Sequence, residues 1–180
     1  MTAPEYIQLK AFARIDGALL SLLWVSSFFL YIIGLASPHY GVAAMALAVL
    51  TPFFAGSRLR RFRDNGLEGT ISFLRAWAYV ILMFFYGGLL FALVQWAYFT
   101  YMDHGYLVKA ITQMMAEAET TEALLQLGMG ESLNESMQML AQMRPIDLSL
   151  NILSTNIMIG IALGMPIAAL MRKRGVRGEK

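Results

Sequence analysis

The sequence predicts an all-α integral membrane protein: a four-helix bundle with a two-helix extracytoplasmic loop between the third and fourth spans. Three observations lead there. Hydrophobic residues make up 58% of the 180 residues and charged residues 14%, against about 45–50% and about 25% in an average soluble domain. Four stretches, 17–36, 40–57, 76–102 and 148–171, carry no charged residue. The flanking Lys and Arg gather on one side of all four. A chain of this length folds as a single domain, 1–180, and a soluble fold of that size has too little interior to hide so much apolar surface. A bilayer supplies what the interior cannot.

The first stretch, 17–36, has the length of a span, since about 20 helical residues cross a hydrocarbon core of ~30 Å. Lys10 and Arg14 precede it and Gly34-Leu35-Ala36 resembles a small-residue cleavage site. A secretory signal has an apolar region of only about 7–15 residues, so retention as a span is expected. Ser37-Pro38-His39 then makes a tight turn into the second stretch, 40–57, which is short and contains Pro52. The third, 76–102, exceeds what crossing requires and is expected to tilt or project. Trp77 and Tyr79 lie near one of its ends, with Trp96, Tyr98 and Tyr101 near the other. The two tryptophans stand roughly 28 Å apart at about 1.5 Å per residue, as two interfacial belts would.

The outer loop, 103–147, reads as two helices. The first is predicted from about 106 to 127 by apolar residues recurring at Leu107, Ile111, Met114 and Ala118, with Thr120-Thr121 as an interruption. Gly128-Met129-Gly130 ends it. Ser132-Leu133-Asn134-Glu135 has the spacing of a capping box for the second helix, which Arg144-Pro145 ends before Asp147 caps the fourth span. Six of the 13 methionines, at 114, 115, 129, 137, 139 and 143, fall in this loop. Packing of the two helices against each other explains them better than an adaptable partner surface.

Orientation follows from charge. Lys10 and Arg14, then Arg58, Arg60, Arg61, Arg63 and Arg75, then Arg172, Lys173, Arg174, Arg177 and Lys180 share one side, and only Lys109 and Arg144 fall on the other. The opposite side carries Asp103, Glu117, Glu119, Glu122, Glu131, Glu135 and Asp147. The positive-inside rule places both termini and the central connection in the cytoplasm. For a bacterial chain that membrane is the cytoplasmic (inner) one.

Chemistry-bearing patterns are few. Cysteine is absent, which removes disulfides, thiolate zinc sites and thiol catalysis. Net charge is +2, so no nucleic-acid partner is expected. No nucleophile elbow, P-loop or zinc-protease motif occurs, and no carboxylate pair has an acid–base setting. The expectation is a protein that is not an enzyme, with no catalytic residue, no cofactor and no metal. His39, His104 and Asp103 share the outer side without the spacing of a ligand set. Asp16 stands at the cytoplasmic lip of the first span, where Arg14 or Arg75 is expected to neutralise it. No other charge enters a span, which argues against proton-coupled transport.

Two clusters remain as candidate sites. Arg58, Arg60, Arg61 and Arg63 stand just cytoplasmic of a span, where each cation attracts anionic lipid by about 1 kcal/mol. They are candidates for contact with a lipid phosphate or a partner, beside their plainer role of fixing topology. On the fourth span, Asn156, Gly160, Gly164 and Ala168 recur every fourth residue, the pattern that lets helix backbones approach and an amide bond across the contact. Packing inside the bundle is the first reading, with homo-oligomerisation and a polar substrate path as the others. Asn151, Ser154 and Thr155 add polarity nearer the outer end, and Pro166 is expected to kink this helix.

Residues Arg63-Asp64-Asn65-Gly66 and Gly69-Thr70-Ile71-Ser72-Phe73-Leu74-Arg75-Ala76, followed by a long span and Tyr101-Met102-Asp103-His104-Gly105-Tyr106-Leu107, carry a resemblance. With the acidic two-helix loop, glycine-rich last helix and basic tail, the chain resembles an uncharacterised four-helix membrane family of Bacteroidota, domain of unknown function 4199. His104-Gly105 stands where members often carry a proline. The resemblance implies a four-helix inner-membrane protein without catalytic residues to carry over. It also implies a partnership with a glycosyltransferase resembling those that load polyprenyl phosphate, since such genes are often neighbours. The expected role is therefore a non-enzymatic accessory or scaffold for an envelope enzyme, in contact with membrane lipids. The alternative is a small oligomeric transporter or lipid flippase with a groove lined by Asn151, Ser154, Asn156 or Gln95.

Overall fold

The structure is a computed structural model that describes residues 2–116 and 130–173. Among these the chain is helical, without a strand beyond one isolated bridge between Ile71 and Lys173. Four helical segments are long and apolar enough to cross a membrane, as the charge-free stretches predict.

Helix α1, Ala3–Gly34, starts well before the charge-free stretch. Glu5 accepts the Thr2 backbone N–H at 2.7 Å, satisfying one donor at the open first turn. At the other end the chain reverses through Leu35–Ser37, and α2, Pro38–Val49, begins with a proline whose missing N–H would have lacked a helical acceptor. A Cβ on Gly34 would sit 2.5 Å from the Gly41 nitrogen, so glycine is required for this reversal. Ser27 Oγ then donates to the Ala44 carbonyl at 2.8 Å, joining the two helices.

The second span is one interrupted helix. Pro52 offers no N–H to the Ala48 carbonyl, and helical bonding lapses at Leu50 before resuming as α3, Thr51–Gly66. The Phe54 N–H bonds the Leu50 carbonyl at 2.9 Å, which keeps the two pieces joined. The Trp24 indole donates to Thr51 Oγ1 at 3.1 Å, fastening the break to α1.

The next helix, α4, Phe73–Tyr101, is central: α1 packs along one side of it and the last span along the other. Its buried face runs Ala76, Tyr79, Val80, Met83, Phe84, Gly87, Gly88, Phe91, Ala92, Gln95 and Tyr98. Trp24 meets Phe84 and Phe91 at ring separations of 5.4 and 5.8 Å, and Phe28 meets Tyr98 edge-on at 5.2 Å. Between helices in lipid such interlocking, rather than expulsion of water, supplies the cohesion. Tyr79, expected in an interfacial belt, instead points inward and has no exposed surface.

After α4 the backbone turns through His104 and Gly105, with φ of 45° and 80°. Asp103 caps α5, Tyr106–Ala116, accepting from the Gly105 and Leu107 N–H groups at 3.0 and 3.1 Å. Leu107 joins the bundle core and Ile111 packs against it. The rest of the predicted first loop helix, with Thr120-Thr121 and Gly128-Met129, lies outside the described residues. Helix α6 spans Gly130–Gln142, so Ser132 is already within a helical turn rather than at its cap. Helix α7, Pro145–Met171, has Arg144 in the capping position. Asp147 sits in its first turn, three residues on from that capping position, and holds the Arg144 guanidinium by two bonds of 2.6 and 2.9 Å.

Candidate functional site at the arginine-rich end

Two glycines set the geometry of this end. A Cβ on Gly17 would lie 2.8 Å from the Met83 carbonyl oxygen, and one on Gly87 would lie 2.9 Å from that of Gly17. α1 and α4 therefore touch backbone to backbone, and the neighbouring Asp16 is driven into the interface with 3% of its surface exposed.

A carboxylate in that position requires compensation. Arg58 of α3 supplies it, donating Nε to Asp16 Oδ1 at 2.6 Å and adding an Nη2 contact to the same oxygen. The Tyr79 hydroxyl donates to Asp16 Oδ2 from α4. Phe62 lies flat on the Tyr79 ring at 4.7 Å between centroids, closing the cluster. Three helices thus meet on one carboxylate. The expected partners of Asp16 are corrected: Arg14 is exposed, and Arg75 binds elsewhere. Arg58 lies much further along the sequence but one helical layer away.

A second network ties the ends of the helices together. Arg75 at the start of α4 reaches Glu5 Oε1 at 3.2 Å and Gln8 Oε1 at 3.5 Å, while Gln8 Nε2 donates to the Gly66 carbonyl at 2.9 Å. Arg63 forks onto the Asp64 carboxylate at 2.7 and 3.1 Å and donates Nη1 to the Met171 carbonyl at 2.9 Å. That last bond places a cation at the negative end of the α7 dipole. Immediately beyond, Ile71 and Lys173 exchange backbone bonds of 2.9 and 3.3 Å, pinning the chain after α7 to the loop between α3 and α4.

The arginine cluster therefore divides. Arg58 and Arg63 face inward and hold helices together, whereas Arg60 and Arg61 are exposed and make no ion pair among the described residues. The helical spacing accounts for the division: Leu59 and Phe62 point to the core and carry Arg58 and Arg63 partly inward with them.

The glycine pattern of α7 faces α4. A Cβ on Gly160 would meet the Phe84 Cβ at 2.6 Å, and one on Gly164 would meet the Trp77 ring at 2.9 Å. Ala168 is fully buried and Trp77 Nε1 donates to the Ile161 carbonyl at 3.0 Å. Asn156 lies along the same side, 3.8 Å from where a Cβ on Gly88 would stand, and its Nδ2 is buried without a partner among the described residues. Gln95 is likewise buried with Oε1 unpartnered. No group of His, Asp and Glu suited to a metal forms among the described residues.

Reasoning from sequence missed Tyr79 and the Gly17–Gly87 approach. The available signals were a lone Asp at the edge of a span and the Gly87-Gly88 pair in the middle of the third, but neither identifies its partner. Compared with known proteins, the chain matches the family model described as "Protein of unknown function (DUF4199)" over residues 16–173. No curated protein and no solved structure matches it.

Proposed function

For a chain that belongs to the DUF4199 family of proteins of unknown function, we propose the role of a non-enzymatic partner in a bacterial cytoplasmic membrane. The bundle anchors or assists an envelope enzyme, with a polyprenyl-phosphate glycosyltransferase as the candidate. Both termini and the arginine-rich end face the cytoplasm, following the charge asymmetry. The reading is carried by the outward placement of Arg60 and Arg61, two exposed cations without an ion pair among the described residues, which suits lipid phosphate or an acidic partner surface. Its non-enzymatic side is supported by the state of the groups with chemical capacity: Asp16 accepts from both Tyr79 and Arg58, and Phe62 covers the Tyr79 ring.

The alternative is a small oligomeric transporter or lipid flippase with a groove lined by Asn151, Ser154, Asn156 or Gln95. Gln95 is buried and Asn156 lies toward α4, while Asn151 and Ser154 are exposed.

Co-purification tests the proposal. The full chain is extracted from its native membrane in mild detergent, and bound proteins and lipids are identified by mass spectrometry. Recovery of an envelope glycosyltransferase together with anionic phospholipid is expected, with lipid retention reduced in Arg60→Gln/Arg61→Gln. Recovery of no envelope enzyme would defeat the scaffold role.

A further inference from the structure

With Gly160, Gly164 and Ala168 seated on α4, the opposite face of α7 has no neighbour among the described residues. Asn151, Thr155, Met158, Ala162, Met165 and Ala169 are all exposed, and their spacing alternates between four and three residues. They form the middle of an exposed arc whose edges are Leu150 and Ile161 on one side and Ile159 and Leu170 on the other. α7 also buries the smallest share of its apolar window of any span, 22% against 44% for α4.

Alternating four-and-three spacing is the seam of a left-handed helix pair. Here it separates two registers, Thr155-Ala162-Ala169 and Asn151-Met158-Met165. In a parallel pair each register faces its own copy: Thr155, Ala162 and Ala169 meet small residues and let the backbones approach, while the long, adaptable methionines fill the layers between.

Polar demand on the same face argues against hydrocarbon as its neighbour. The serine hydroxyls of α7 return to their own helix, Ser149 to the Pro145 carbonyl and Ser154 to that of Leu150. Asn151 and Thr155 stand outside those bonds. Pro166 interrupts the ladder at the Ala162 carbonyl, for which it carries no N–H. Lipid tails offer nothing to an amide, a hydroxyl or a freed carbonyl. A second copy does: a primary amide is both donor and acceptor, so two Asn151 side chains related by a two-fold axis satisfy each other.

We propose that this face of α7 is the seam of a parallel homodimer, two copies of the chain related by a two-fold axis along the membrane normal. The pattern that first suggests self-association, Gly160 and Gly164, is not the one used, because Phe84 and Trp77 of the same chain already occupy it.

The absence of cysteine makes the test direct. Single-cysteine variants of the full chain are oxidised in native membranes at Thr155, Met158, Ala162 and Met165, and at the arc edges Leu150, Ile159, Ile161 and Leu170. Disulfide-linked dimers are expected at the first four and not at the edges. In the Thr155→Cys background, Asn151→Leu is expected to lower cross-linking about 5- to 10-fold. Leu170→Phe should leave it unchanged. Equal cross-linking around the arc, or none at seam positions whose thiols still react with maleimide, would overturn the proposal.

Discussion

Arg58 and Asp16, 42 positions apart, form a charge pair at the Gly17–Gly87 crossing, with the Asp16 side chain 4% exposed and that of Arg58 19%. The pair therefore depends on a backbone contact that only glycine permits, and glycine and ion pair act as one structural unit.

Removing one charge should be worse than removing both. Asp16→Asn leaves the Arg58 guanidinium uncompensated, and breaking such a pair costs about 3–5 kcal/mol. Asp16→Asn/Arg58→Leu should recover much of that loss. Thermal unfolding of the two variants in detergent checks the order; a double variant less stable than the single one would show that the cluster does more than balance charge.

Backbone approach gives a sharper contrast. Gly17→Ala would place a Cβ 2.8 Å from the Met83 carbonyl oxygen, a backbone atom that cannot swing aside. A loss of about 1–3 kcal/mol is expected. Gly41→Ala, where nothing lies within 4 Å of the added carbon, should be neutral or slightly stabilising because alanine is the better helix former. Denaturation midpoints of both variants decide the matter.

The four arginines of α3 should separate by phenotype. Arg60→Gln and Arg61→Gln should leave stability unchanged and each weaken retention of anionic phospholipid by about 1 kcal/mol, roughly fivefold, at low salt. The effect should fade as ionic strength rises. Arg63→Gln removes the bond to the Met171 carbonyl and should lower the melting temperature instead. Native mass spectrometry of bound lipid, beside a melting curve, reads both.

Orientation is open to a simple probe. A tag after Lys180 should resist protease and impermeant label in intact cells and become accessible only on lysis. Accessibility from outside would invert the assignment of the two faces.

Length and apolarity fixed the four spans because crossing a bilayer is a local demand on each stretch of chain. The turn at Ser37-Pro38, the interruption at Pro52 and the inward glycine face of α7 follow from residues lying close together in the sequence. Which cations are structural did not follow. Arg58, Arg60, Arg61 and Arg63 are equivalent in a one-dimensional reading, and only the rotation of α3 against α1 and α7 gives Arg58 a carboxylate and Arg63 a helix terminus. Likewise, Asp16 announced itself as a charge needing a partner, while the choice of Arg58 over the nearer Arg14 came from helix packing. Hydropathy is a property of segments. Pairing is a property of the distances between them, and those are set by the side chains, or missing side chains, at each crossing.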